Sequence, residues 1–439
     1  MAGPVCITEN NMSLCTGCMV CLDICPVGAI TESFTKDGFR VPVVCKDKCV
    51  KCGKCANVCS LSGEKSVSFP AAVYRMVAKD DNVRMMCSSG GIFSLLSEKV
   101  IKNGGAVIGA AFDAEQKDVC HVTSDECSME EICRSKYVQS NTCGIYKKTE
   151  QILNTGRDVL FCGTPCQVRA LRNFLKGKKY TGTVLTIDFM CHGVPATMEF
   201  KDFIQEREQK EKSPVINVTF REKDNGWRKQ IIKAYHANGI VWKKTSYYYY
   251  YYYMFLKNYS LRDSCYSCKE YNAHTADLTL ADDWSGTGND NIGTSRVFVN
   301  TPFGQRAVEE IAESVNQSDI TADVISTFEI YSHAGYDYKK KELWKKALET
   351  GGYKKAKTEL YLKASAVPMV KEKMWGAVSS MKNVARNLMG GVNSTLYRRI
   401  FVYPIGIIKS EFIETTLIQI HSAGELCLLT RLWLQVEPV

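Results

Sequence analysis

Cys15-Thr16-Gly17-Cys18-Met19-Val20-Cys21-Leu22-Asp23-Ile24-Cys25-Pro26 returns further on as Cys49-Val50-Lys51-Cys52-Gly53-Lys54-Cys55-Ala56-Asn57-Val58-Cys59-Ser60. Each cysteine of the second run stands 34 positions after its counterpart, so the segment is an internal duplication with all its cysteine offsets preserved. Thiolates two residues apart wrap successive corners of a cubane, because short loops turn their sulfurs onto one concave face. The fourth cysteine, three residues on, starts the next element and ligates the other cluster of a two-cluster ferredoxin. The expected quartets are therefore Cys15, Cys18, Cys21 and Cys59 for one 4Fe–4S cluster, and Cys49, Cys52, Cys55 and Cys25 for the other. Gly17 and Gly53 lie in the tight part of each loop. Pro26 follows Cys25 as the bacterial pattern requires, whereas Ser60 stands in the equivalent place after Cys59. Four-cysteine zinc sites also use pairs two residues apart, but as two separated pairs and not as runs of four at spacing 2-2-3.

Around this segment the chain is that of an ordinary globular protein: 439 residues, 45% hydrophobic and 23% charged, a length that suggests about three domains. Twenty-one cysteines in a chain whose first ten residues have neither a basic start nor an apolar run point to metal ligation in a reducing compartment, hence a cytoplasmic protein. The net charge is +9, yet residues 331–439 hold 17 Lys and Arg against 9 Asp and Glu, leaving the rest almost neutral. A nearly neutral body argues against nucleic acid as a partner. No apolar run is long enough to span a bilayer.

The expected domains are 1–70, the two-cluster ferredoxin; 71–320, a mixed α/β body; and 321–439, a basic, mainly helical extension. Phe34–Val44 alternates around Asp37-Gly38, a hairpin signal. In the body, Val73–Val77, Ala106–Phe112, Val159–Phe161, Val184–Phe189 and Asp277–Leu280 read as strands. Gly91–Lys102, Gln167–Leu175 and Met198–Lys210 read as helices. The Tyr247–Tyr253 run favours strand and reads as buried or interface aromatic surface. In the extension Met374, Val378, Met381, Ala385 and Leu388 recur at helical spacing, the pattern of a helix packed on the body with a solvated basic face. Its lysines leave contact with a membrane surface open.

Cys265-x2-Cys268 cannot complete four-coordination alone. Cys166, in Gly163-Thr164-Pro165-Cys166-Gln167, and Cys191, in Cys191-His192-Gly193-Val194-Pro195, sit in turns after expected strands, where α/β proteins place their sites. A third cluster held by Cys166, Cys191, Cys265 and Cys268 follows, with Cys162 as the substitute for one of them. His192, titrating near neutrality, is the candidate proton relay.

These motifs, with Ser88-Ser89-Gly90-Gly91, Ser135-Lys136-Tyr137-Val138-Gln139-Ser140 and Asp277-Leu278-Thr279-Leu280, resemble the beta subunit of coenzyme F(420) hydrogenase and dehydrogenase, a family that also includes 7-hydroxymethyl chlorophyll a reductase. The resemblance covers about 71–320, and relatives carry the same fused ferredoxin module. It implies FAD beside a 4Fe–4S cluster, and flavin contacts from Ser89, Gly90, Gly91, Lys136, Tyr137, Gln139, Ser140, Thr164 and Gln167. It further implies an oxidoreductase moving electrons between clusters, flavin and a small organic two-electron substrate, served by a redox partner protein or ferredoxin. Asp282-Asp283-Trp284-Ser285-Gly286 departs from the family's usual ending and receives no role. An electron-transfer subunit relaying to a partner enzyme is the alternative, and an envelope polysaccharide or lipid function at a membrane surface a third.

Overall fold

A computed structural model describes residues 12–62, 70–245, 249–268, 270, 273–285, 290–327 and 338–362. The chain divides into a unit ending at Tyr361 and a second, Leu362–Val439. The basic helix expected around Met374–Leu388 lies outside the described residues, as do Cys6 and Cys427.

In the ferredoxin segment, β1 (Ile30–Phe34) and β2 (Arg40–Val44) form an antiparallel hairpin. Thr35 Oγ1 donates to Asp37 inside its turn, at 2.6 Å. The short helices Val20–Ile24 and Lys54–Asn57 start at equivalent places in the two repeats. Duplication extends to the backbone. Gly17 and Lys51 have φ of 68° and 53°, and Met19 and Gly53 have 54° and 70°. Two positions per loop are thus left-handed, and each repeat spends its one glycine on a different one. Gly17 and Gly53 serve the same need at different places in their loops.

The body is built on eight strands: β3 (Ala72–Ala78), β4 (Ala106–Asp113), β5 (Asp118–Thr123), β6 (Val159–Cys162), β7 (Val184–Phe189), β11 (Leu278–Asp282), β12 (Ser295–Val299) and β13 (Val315–Asp319). Their order is β13-β3-β12-β11-β7-β6-β4-β5. The central four, β11-β7-β6-β4, are parallel, and antiparallel strands flank them on both sides. Parallel strands are covered on both faces, which is why Val159–Phe161 and Leu185–Ile187 are apolar or hydrogen-bonded throughout and almost all fully buried. The helix Pro165–Leu175 packs Val168, Leu171 and Phe174 on one face together with Val20 and Val58 of the ferredoxin segment. A smaller, separate antiparallel sheet is formed by β8 (Val215–Glu222), β9 (Ile231–His236) and β10 (Val241–Thr245).

The tyrosine run departs from its strand preference: Tyr250–Leu256 is a helix. Burial among Phe200, Phe203 and Phe220 outweighs the propensity. Its hydroxyls find partners, Tyr252 donating to the Phe220 carbonyl at 2.6 Å and Tyr250 to Asp202 at 2.8 Å. The helix Tyr338–Ala356 sets Trp344 against Met254. No helix among the described residues is long and apolar enough to cross a membrane.

Candidate iron–sulfur site

Cys25, Cys49, Cys52 and Cys55 line one shallow pocket, partly open to solvent, with Pro26, Val27 and Ile30 as its apolar wall. Cys52 is exposed, Cys25 and Cys49 half-buried and Cys55 buried. This outboard quartet is the one expected from the repeat. Cys15, Cys18 and Cys59 surround Cys21: burial holds the Cys21 thiol far above its ordinary range, and the nearby charges of Cys18, Cys15, Cys59 and Cys55 push the same way. The second expected quartet is therefore also assembled, deeper in the protein, and Cys55 borders it.

The inboard loop is fastened to the body through its backbone carbonyls. Thr142 Oγ1 and the Tyr146 hydroxyl each donate to Cys18 O at 2.8 Å. Gln139 Nε2 donates to Thr16 O at 2.8 Å, Ser264 Oγ to Cys15 O at 3.1 Å and Asn173 Nδ2 to Cys59 O at 2.9 Å. Asp23, at the end of the inboard run, accepts from the backbone N–H of Gly144, Tyr146 and Lys147 at 2.7, 3.0 and 3.3 Å, using the free amides at the start of the helix Ile145–Asn154. Gly17 has no room for a side chain, since a Cβ there would lie 2.5 Å from the Arg262 guanidinium.

The third expected set is assembled as well. Cys166 stands in the first turn of the helix after β6, and Cys191 two residues beyond β7; these are neighbouring parallel strands, so both cysteines lie at their carboxyl ends, where this architecture places its sites. Cys265 lies in the short 3-10 turn Asp263–Ser267, with Cys268 just after it. Burial raises Cys166 and Cys191 well above the ordinary thiol range; Cys268 and Cys191 add to it at Cys166, and Cys265 and Cys268 at Cys191. The Cys265 thiol is pushed up to about 11 by burial and by Cys268. Gly193, at φ 118°, lets the Cys191 loop pass close to Cys265. Cys162 stays outside: burial pushes its thiol up to about 12, and the charges it meets are Asp188 and Lys136. Four half-buried cysteines whose thiolates repel one another call for a cationic centre. Among the described residues no three His, Cys, Asp or Glu side chains close on a point as one ion requires, whereas a cubane binds each thiolate to a different iron.

The inboard and third sets are within electrostatic reach of each other at Cys18 and Cys166. Cys18 is among the charges that raise Cys166, and both raise the Tyr146 hydroxyl after burial. Sequence reasoning gave no role to two residues here. Arg262, buried, reaches the Cys15 and Arg40 carbonyls at 3.0 and 2.6 Å and Gln139 Oε1 at 2.8 Å. Its charge lowers Cys15 and Cys265 against the upward push of burial, so one guanidinium serves two quartets. Ser60 Oγ lies 3.8 Å from Cys18 Sγ and 3.0 Å from Thr16 Oγ1. Ser60 was visible as a departure from proline; Arg262 carried no sequence signal.

The residues nominated for flavin divide into two groups. Gln139, Ser140, Thr164 and Gln167 lie among the cysteines: Gln167 Nε2 donates to Ser140 at 3.1 Å, Gln167 Oε1 accepts from Thr164 N at 2.9 Å, and Thr164 Oγ1 lies 3.1 Å from Cys166 Sγ. Tyr137 packs on Phe220, Tyr252 and Phe255. Ser89, Gly90, Gly91 and Lys136 sit elsewhere and are engaged by the protein. Ser89 Oγ donates to Thr294 O at 2.6 Å, and Gly90 lies against the Met76 carbonyl. Gly91, at φ 91°, opens the helix Ile92–Lys102. Lys136 Nζ donates to the carbonyls of Ile132 and Cys133 at 2.9 and 2.6 Å, and burial lowers it to about 7. His192 Nε2 lies 3.3 Å from the Phe255 carbonyl, its ring edge-on to Phe255.

Residues 14–62 match the 4Fe-4S dicluster domain, and residues 156–323 match the family described as the C terminus of the beta subunit of coenzyme F(420) hydrogenase/dehydrogenase. No curated protein matches the chain. Among solved structures it is similar to a chain of the F(420)-reducing NiFe hydrogenase complex from Methanosarcina barkeri, with 14% identity, 66% of this chain and 97% of that chain covered, and a TM-score of 0.43. The matches are thus to a 4Fe–4S dicluster domain at the N-terminal side and, over less than half of the chain, to the C terminus of the coenzyme F(420) hydrogenase/dehydrogenase beta subunit.

Proposed function

We propose that this protein is a cytoplasmic iron–sulfur electron-transfer oxidoreductase in which three cysteine quartets, outboard, inboard and third, hold three 4Fe–4S clusters in a row. The contiguity of the quartets carries this reading: Cys55 borders the inboard set and Cys18 borders the third. Bound cubanes supply one-electron transfer, and the FAD implied by the resemblance would convert it to two-electron chemistry on a small organic substrate. The chain's own part is to screen the inboard and third sets partly from solvent, with Cys18 and Cys21 buried, to hold the loop carbonyls from outside, and to put the Arg262 charge between two quartets. The cytoplasmic placement rests on the abundance of cysteine, which calls for a reducing compartment.

FAD rests on the resemblance. The side chains nominated for it have partners within the protein, so a flavin there would be held mainly by backbone groups, and His192, engaged at Phe255, would relay a proton only after leaving that contact. That engagement favours the second reading, an electron-transfer subunit whose substrate site belongs to a partner. Flavin analysis of the full chain prepared under argon separates the two. About one flavin per chain with reduction of a small two-electron acceptor supports the oxidoreductase; no flavin and no such reduction supports the relay. Cys268→Ala should lose about four of roughly twelve irons, at four per cubane, and unchanged iron would reject the third quartet.

A further inference from the structure

We infer that the outboard repeat carries the docking face for an acidic electron-transfer protein; this rests on the cluster assignment proposed above and adds the face and the charge of its partner. The argument comes from the duplication. Cys15, Thr16, Gly17 and Val20 of the inboard repeat face the body, whose Arg262, Ser264 and Gln139 side chains reach the Cys15 and Thr16 carbonyls. The equivalent face of the outboard repeat is formed by Cys49, Val50, Lys51 and Lys54. Among the described residues no body side chain donates to the carbonyls of Cys49 or Val50. Val50 is 60% exposed, beside Val27 at 45%.

Charge separates the two faces further. Lys46, Lys48, Lys51 and Lys54 are all exposed and share the stretch 46–54 with a single acid, Asp47. Their equivalents in the inboard repeat are Met12, Leu14, Gly17 and Val20, none of them charged. The fold of the repeat therefore does not need the lysines, and a cubane of thiolates is served by either version. No ion pair among the described residues involves any of the four. An apolar centre beside Cys52, the one exposed cysteine of the outboard quartet, ringed by cations, is complementary to an acidic protein with its own surface redox centre. Such complementarity acts on the rate of encounter more than on affinity, as an electron carrier that must leave again requires.

The test is stopped-flow reduction of the full iron-loaded chain under argon by a reduced acidic ferredoxin and, in parallel, by dithionite. The ferredoxin rate should fall about tenfold or more between about 0.01 M and about 0.15 M ionic strength, as screening shortens from about 30 Å to about 8 Å. Lys46→Glu with Lys48→Glu should cost about another tenfold at low salt, with Lys46→Gln and Lys48→Gln intermediate. Iron content and dithionite reduction, read on the same samples, should follow the wild type. A ferredoxin rate indifferent to both salt and substitution overturns the proposal. Sedimentation of the wild type, but not the Glu variant, with phosphatidylserine vesicles, together with an unmoved ferredoxin rate, would reassign the lysines to a lipid surface and likewise overturn it. A wild-type chain that retains no iron overturns the cluster assignment instead, before any partner is added.

Discussion

Single residues set the electrical character of the proposed clusters. With Cys18 as a thiolate, the Ser60 hydroxyl 3.8 Å away can donate to it; hydrogen bonds to ligand sulfur are among the factors that set a cluster's potential. Ser60→Ala should therefore shift the potential of one cluster by tens of millivolts, on the scale of a hydrogen bond worth about 1 kcal/mol and one electron. A redox titration followed by electron paramagnetic resonance reads this; potentials unmoved by the change would place the hydroxyl outside the cluster's reach. Glu199 gives the pH prediction. It is fully buried, and desolvation raises its carboxyl to about 8, offset in part by Ser260 and Lys341. The folded chain thus holds a proton that the unfolded chain releases near the ordinary carboxyl value of 4.5. This stability is fully present below that value and is lost as pH rises toward 8, about 3 kcal/mol of it by pH 7. Wild-type melting temperature should drop between pH 5 and pH 8, and Glu199→Gln should flatten the curve. Equal slopes for both proteins would contradict the buried, protonated carboxyl.

Among the elements, the joint between the ferredoxin segment and the body rests on Asp23 and the start of the helix Ile145–Asn154. Three backbone N–H groups aimed at one carboxylate form a helix cap supplied from outside the helix. Asp23→Ala should cost about 2 kcal/mol, the upper end for a lost cap, and should hasten loss of iron from the inboard quartet on dilution into chelator. Unaltered melting and iron retention would show that the apolar packing of Val20 and Val58 holds the joint alone. Element positions in the body were legible from apolar periodicity. Val184–Phe189 came out with the same bounds, and the helix Pro165–Leu175 began two residues earlier than its pattern, where Pro165 and the Thr164 cap act. The tyrosine run was not legible, because its helix comes from packing against three phenylalanines that lie at least thirty residues away in sequence. The joint was equally hidden: Asp23 in the sequence is an acid inside a cysteine run, and its amide partners are 121 to 124 residues on.

For the molecule as a whole, the proposal is a series of cysteine quartets leading from an exposed, lysine-rich end to the carboxyl ends of β6 and β7. The first two quartets were readable because the repeat fixes their spacing. The third was suggested by the Cys265–Cys268 pair and the turns around Cys166 and Cys191, with no spacing to choose between Cys162 and its neighbours; it is strand order that brings Cys166 and Cys191 together. The charge of Arg262 and the engagement of the flavin-nominated side chains were beyond the sequence, both being matters of which groups meet across the body. The most direct test is iron analysis with low-temperature electron paramagnetic resonance on full-length protein made anaerobically. About twelve irons per chain, at about four per cubane, with spin-coupled signals between neighbouring reduced clusters, is the expected result. A colourless chain holding only zinc or free thiols after iron is supplied would contradict the account.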